Sequence, residues 1–421
     1  MLRRKGMILS MMLLLSMILL TECHDQTNLQ KSPVSRVKQA TIPPSEDLSD
    51  QQAKKVLTIA VSLPPKAFSR LQTISGDYAM SRPQIEIRLV NLNRNKAGAE
   101  LWEKAELGEA PDLMLLDNLD LLAFAASAHL KPVDSLLSNI PSSEGLDRSI
   151  EQVKWNGYLW GIPWDVDPYV LVWNRSSFLA SGLHPEQFSG KWRSANEAVL
   201  RKNGLERMFV PYDDPYAVLS FMSAMDIPWR EDGQWALTPE ETEWDGTIEK
   251  VLRDGWGISG EDAWIQLAKG DPAIAIMPLS EYLEHAGEGL DFSVLSNQGN
   301  PSAGSWMKGQ SFAVSTLSEQ EEEAGRWIAA VADRFFVSAG PNAYKYLPAS
   351  KYTYESAVFR RDPLYEKVSA AVRQSILPYQ DPKSSAKLAV LKEEAAKLAS
   401  GQTDFQRFLD AVNIRWSQLQ R

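Results

Sequence analysis

Asn156–Arg175, NGYLWGIPWDVDPYVLVWNR, holds the densest set of structural signals in the chain. Tyr169 to Trp173 is an apolar run of β-forming residues, preceded by a segment that carries Trp164, Asp165, Asp167 and Tyr169. Pro163 and Pro168 bias their neighbours towards extended backbone and remove two N–H donors, which argues against a wholly sheet-paired central strand. In an extended segment Asp165, Asp167 and Tyr169 project from one side. Two carboxylates and a phenol beside the Trp164 indole can hydrogen-bond hydroxyls and stack on the apolar face of a sugar. An edge strand ending in a solvated acidic turn accounts for the same residue types and stays open at this point.

The segment also resembles the N-G-K-x-Y-G-x-P … L-x-Y-N-K stretch of bacterial extracellular solute-binding proteins, the maltose-binding-like family 1 that serves ABC importers. Asn156, Gly157, Gly161, Pro163, Leu171, Asn174 and Arg175 (for the usual Lys) match, with Trp173 where Tyr is common. The resemblance extends from about Val56 to the C-terminus. It implies an α/β, two-lobed periplasmic-binding-protein-like fold of type II, in which each sheet is flanked by helices and about three crossing segments form a hinge. It further implies that Asp167 contacts a bound sugar, and that the chain is a monomeric receptor without cofactor or metal, delivering its cargo to ABC importer permease subunits.

Composition sets wider bounds. With 421 residues, 44% hydrophobic and 23% charged, the chain is long enough for two or three cores of ordinary globular make-up. Its net charge of −10 argues against nucleic acid as partner. Arg3, Arg4 and Lys5 followed by the apolar run Met7–Leu20 make residues 1–22 a signal peptide, too short for a comfortable membrane span. Leu20-Thr21-Glu22-Cys23 resembles a lipobox, so Cys23 is the expected lipidation site and membrane anchor, although Glu22 stands where a small residue is usual. Cleavage there takes the net charge to −12, because the removed segment carries three basic residues against one acid. Cys23 is the only cysteine, which rules out an intramolecular disulfide. Residues 23–53, rich in Gln, Ser, Pro, Asp and Lys and free of aromatic residues, read as a flexible tether outside the membrane.

Past the tether, Val56–Ser62, Ile85–Val90 and Leu113–Leu116 read as strands, separated by helical patterns over Lys66–Met80 and Lys96–Leu107. That order implies right-handed crossovers and a parallel sheet, whose ligands sit beyond the strand C-termini, near Ser62 and Asp117. The expected lobes are 54–166 with 309–362, and 167–308 with 363–421. Further helices are expected over Ser194–Gly204, Tyr216–Met225, Pro239–Arg253, Glu319–Asp333, Leu364–Gln374, Ser384–Ala399 and Asp404–Leu419, and strands over Ala273–Met277 and Phe292–Leu295. By the resemblance, Trp306–Ser315 is a returning crossing and Asp362-Pro363 a third.

Asp213-Asp214-Pro215-Tyr216 precedes a helix, where an aspartate N-cap and an early proline explain it structurally. The resemblance adds a role, since Asp214, Pro215 and Tyr216 align with a sugar-contacting Glu-Pro-Tyr. The expected ligand-binding residues are therefore Asp167 and Asp214 as hydroxyl acceptors, Tyr216 and Trp164 as platforms, and Asp165, Asp117 and Trp306 in support. Where the family stacks sugar on aromatics this chain has Ser280 and Leu388, so maltodextrin specificity does not carry over. Clustered aspartates also suit a cationic solute such as a polyamine. A sensor or envelope-interaction role and a glycoside-active enzyme complete the alternatives, the last without a protonated acid placed opposite a base. Gly255 to Gly260 fits G-x-G-x-x-G but follows a helix pattern, which makes Gly255 a helix C-cap instead of a dinucleotide site. The four histidines lie far apart without metal-ligand spacing.

Overall fold

Three parallel strands come first among the described residues, and their side chains explain why. Strand β1 (Lys55–Val61) buries Leu57, Ile59 and Val61, and lies between β2 (Ile85–Asn91) and β3 (Leu113–Asp117). Helix Pro65–Met80, opened by a proline at its first position, and helix Ala97–Glu106 make the crossovers. The Pro111-Asp112 step is a brace: Asp112 accepts from the Thr58 N–H (2.8 Å) and hydroxyl (2.6 Å) and from the Ser318 hydroxyl (2.7 Å). In this computed structural model the described residues are 54–420 apart from 95, 138–146, 181–207, 225–226, 228–234, 238–255, 258–259, 271–273, 286, 288, 295–305, 338–346, 362 and 376–380. The signal peptide, Cys23, the tether, the helices expected over 194–204 and 239–253, Gly255 and Asp362 lie outside them.

A two-residue hairpin precedes the decisive segment: β4 (Lys154–Trp155) pairs with β5 (Tyr158–Leu159) around Asn156 and Gly157, both at positive φ (51° and 84°). That is the turn an Asn-Gly pair favours between twisted strands. Strand β6 (Ile162–Asn174) then runs unbroken for 13 residues. The remaining strands are β7 (Met208–Pro211), β8 (Trp256–Gly257), β9 (Ile274–Pro278), β10 (Leu290–Val294), β11 (Met307–Val314) and β12 (Leu347–Pro348). They join one sheet in the order β2-β1-β3-β11-β6-β9-β7-β8, with β10 and β12 also paired to β6.

Strand β6 is sheet-paired on both sides of its two prolines in the middle of the sheet, which corrects the expectation drawn from them. Up to Pro168 its partners are β11 and β12; from Tyr169 onward they are β9 and β10. Pro163 sits beside a register shift at Gln310/Ser311, and Pro168 at the change of partner, so the missing N–H groups fall where the ladder is already interrupted. Strand β11 returns antiparallel between β6 and β3. Two long strands thus join two halves of the sheet. Trp164, Phe312 and Trp327 belong to the core of the first half, whereas Tyr169, Trp173, Trp306 and helix Ser384–Ala399 pack in the second.

Elsewhere the helices fall close to their expected places: Pro215–Ala224, Glu321–Val337, Pro363–Gln374, Ser384–Ala399 and Phe405–Gln420. No helix among the described residues is long and apolar enough to cross a membrane.

Candidate functional site

Where the two halves meet, a cavity of about 740 Å³ opens beside the crossing strands. Its floor is made by Asp165–Asp167 of β6 and Lys308–Gln310 of β11. One wall comes from the C-terminal end of β3 and the helix Asn118–Ala126 behind it. On that helix Asp120, Ala123 and Phe124 follow the cap residue Asp117 along one face, as the 3.6-residue period dictates. Trp102 and Gly98, one turn apart on helix Ala97–Glu106, extend the wall. Opposite stand Ser280, just past the end of β9, and Ser385, Ala386 and Ala389 of helix Ser384–Ala399. Strand ends of a parallel sheet supply such positions because their loops are free of ladder pairing.

Asp167 is held from two directions. The Ser280 N–H donates to one carboxylate oxygen (2.9 Å) and its hydroxyl to the other (2.6 Å), while Lys308 Nζ stands 4.0 Å away. Lys308 also donates to the Tyr169 hydroxyl (3.0 Å) and lies 3.7 Å from Asp214. Burial works against the Lys308 charge, but the Asp214 and Asp167 carboxylates outweigh it and raise its pKa. Asp167 is raised by burial, although Lys308 and the Ser280 bonds pull it down.

Asp165 is 5% exposed; one oxygen accepts the Gln310 N–H (2.8 Å), and the other has no partner among the described residues. Burial, with smaller contributions from the Asp167 and Asp117 charges, pushes its pKa up to about 7. Asp117 caps its helix through the Leu119 N–H (2.9 Å) and is likewise raised to about 7 by burial and then by Asp120. Burial raises Asp120 too, against a hydrogen bond from Ser385. Behind the floor, Asn118 donates to Gln152 (2.9 Å) and accepts from Ser311 (2.6 Å), while Gln152 donates to the Met307 carbonyl (2.9 Å). This buried, satisfied network fixes β11 against the first half.

Of the expected site residues, Asp117, Asp165 and Asp167 line the cavity. Four others do not. Trp164 is 2% exposed among Phe312, Phe335 and Phe336, with no face open for stacking. Its neighbour Asp165 points to the cleft, so strand alternation sends Trp164 to the core. Trp306 is wholly buried, its indole N–H bonded to the Ser223 hydroxyl (3.1 Å). Tyr216 stacks on Tyr169 (ring centroids 5.9 Å, planes 11° apart) inside the second core instead of presenting a platform. Asp214 spends both oxygens internally, one on the Tyr169 hydroxyl and one on the Tyr216 N–H (3.1 Å), which makes it the helix cap.

The cavity's partly exposed aromatic is Trp102, set edge-on to Phe124 (4.9 Å) and His129 (5.5 Å). Sequence reasoning passed over it, together with Arg94, Asp120, Lys308 and Gln310. The helical spacing of Asp117, Asp120 and Phe124 was the usable signal. Ser280 holds Asp167 where an aromatic had been the family's expectation. Among the described residues no His, Cys, Asp and Glu side chains assemble a metal-ligand set.

The comparisons with known proteins agree with this architecture. No curated protein sequence matches the chain. Among solved structures it is similar to the GacH receptor of Streptomyces glaucescens, known unliganded and with acarbose and an acarbose homolog (15% identity, 87% of this chain and 98% of that one, TM-score 0.68). An ABC substrate-binding protein from Listeria monocytogenes in complex with cycloalternan gives 16% identity, the same coverages and a TM-score of 0.70. The sugar-binding protein MalE of Xanthomonas citri gives 15%, 87% and 97% coverage, and 0.68. At such identities the likeness shows the fold alone: the α/β architecture of periplasmic binding proteins. Residues 84–334, more than half of the chain, match the family described as bacterial extracellular solute-binding protein. The chain belongs to that family, whose members are transport receptors and not enzymes.

Proposed function

We propose that the protein captures a hydroxyl-rich solute, a mono- or oligosaccharide, in this cavity and presents it to the permease subunits of an ABC importer. The observation that carries the reading is the cavity itself: about 740 Å³, walled from both halves of the sheet, with carboxylates beside a partly exposed indole. Carboxylates accept hydroxyl hydrogen bonds, and an aromatic face accepts the apolar side of a sugar ring. Solved structures of similar fold hold alpha-D-tagatose, D-mannitol and cycloalternan, which is the size range such a cavity accommodates.

In this reading Asp167, Asp165 and Asp117 contact the solute, while Asp214 and Tyr216 act behind them by setting Lys308 and Tyr169. Two extended strands connect the halves, and a solute touching both walls favours the closed arrangement by the free energy of its added contacts. Closure is then the state an importer recognises. Cys23 would carry the lipid anchor, holding a monomeric receptor at the outer face of the membrane. A calorimetric and thermal-shift screen of sugars and polyols tests the proposal: ligand at 100 times Kd stabilises by about 2.7 kcal/mol. Absence of saturable binding by any sugar, polyol or amine-bearing analogue overturns it.

A further inference from the structure

The cavity is short of positive charge. Among the described lining residues, four carboxylates (Asp117, Asp120, Asp165 and Asp167) face two cations, Arg94 and Lys308. Lys308 is already engaged by Asp167, Asp214 and the Tyr169 hydroxyl, and its ammonium sits over the Tyr169 ring at 5.2 Å. Arg94 stands exposed at the rim. Asp117, Asp120 and Asp165 have no lysine or arginine within ion-pair distance among the described residues; Lys308 and Arg94 ease the charges of Asp117 and Asp165 only from further off, against the repulsion of neighbouring carboxylates. Asp165 adds an independent sign of an unmet partner: a nine-tenths buried side chain on the cavity floor with one oxygen unpaired.

Hydroxyl donors satisfy a carboxylate's lone pairs but leave its charge in place. A buried charge is costly unless an opposite charge meets it. The geometry points to a solute that carries an ammonium group as well as hydroxyls: an amine-bearing polyol, such as an amino sugar, with the ammonium between Asp117, Asp120 and Asp165. Trp102, on the same wall, supplies a π-face that favours a cation as well as a sugar ring. Gln310, Ser280 and Ser385 offer neutral polar groups for the hydroxyls. Burial and a neighbouring carboxylate's charge raise the pKa of both Asp117 and Asp165 to about 7, as befits carboxylates without a paired cation.

This inference rests on the capture reading above and deepens it. The test is calorimetric titration of the purified protein with matched trios: glucose, galactose or mannose, its 2-amino-2-deoxy form and its N-acetylated amine, as mono- and disaccharides, with spermidine as an amine lacking hydroxyls. At least one amino sugar is expected to bind tenfold or more tightly than both neutral members of its trio. Asp120→Asn and Asp165→Asn are each expected to cut the amino sugar's advantage over its own neutral partners from tenfold or more to less than threefold, whatever each variant does to binding of the neutral members. Neutral members binding as tightly as the amines, a preference that survives both variants, or spermidine binding more tightly than every amino sugar would each overturn the inference. Saturable binding of neutral sugars alone would do so while leaving the capture reading standing.

Discussion

Replacing Asp165 by asparagine is expected to make the unliganded protein more stable, and more so as pH rises. The asparagine keeps a side-chain oxygen for the Gln310 N–H, which Asp165 accepts at 2.8 Å, and removes only the charge. Burial lifts the Asp165 pKa from an ordinary 3.8 to about 7. At 1.36 kcal/mol per unit, the carboxylate costs the folded state about 4 kcal/mol once it is fully ionised. The sign follows from proton counting. Between pH 4 and 7 the folded state binds more protons at this site than the unfolded state, so this contribution to stability falls as pH rises. Below about pH 4 both states are protonated and the penalty vanishes; above about 7 it is complete. Urea denaturation of wild type and Asp165→Asn at pH 5, 6, 7 and 8 reads it directly. The variant's advantage is expected to grow by about 2–3 kcal/mol from pH 5 to pH 8. A variant equal to or weaker than wild type at pH 8, or an advantage independent of pH, refutes the account of a buried, uncompensated carboxylate.

Three further outcomes probe the surroundings. A Cβ at Gly309 would lie 2.6 Å from the Asp165 carbonyl oxygen, a backbone atom with little freedom to yield, so Gly309→Ala should cost about 2–3 kcal/mol in urea denaturation; a change under about 0.5 would show that the crossing strands are loosely apposed. Asp214→Ala removes the acceptor of the Tyr169 hydroxyl proton and uncaps helix Pro215–Ala224, and is expected to lower unliganded stability by about 2–3 kcal/mol, against about 1 for Tyr169→Phe, with equal losses counting against a separate capping role. Trp102→Ala should weaken binding of the best sugar probe by about tenfold, roughly 1.4 kcal/mol, and an unchanged Kd would remove Trp102 from the site.

The N-terminal half was legible because its signals are local. Leu57, Ile59 and Val61 mark a buried strand, while the proline that opens the first helix and the Asn-Gly pair that turns the hairpin before β6 were equally local signals left unread. The prolines of β6 were misjudged because their tolerance depends on distant partners: the register shift in β11 and the exchange of β11 for β9 are not written in the residues around Pro163 and Pro168. Trp164 shows a different failure. Placing Asp165 and Asp167 in the cleft commits Trp164 to the opposite face, so alternation alone assigned it to the core. Lys308, Asp120 and Trp102 gain their meaning from residues brought near only by the folded sheet, and composition marks none of them. Asp214 fits both the cap and the sugar-contact pattern, and only its hydrogen bonds distinguish the two.

The central claim is that a solute is held between the two halves of the sheet by the aspartates of the crossing strand and the β3 wall. A crystal structure with the tightest-binding probe from the matched trios tests it most directly. The account predicts density in the cavity within hydrogen-bond distance of Asp165 or Asp167 on the floor and of Asp120 on the wall, with a ring against Trp102. A bound probe outside this cavity, leaving those side chains as they stand here, would contradict it.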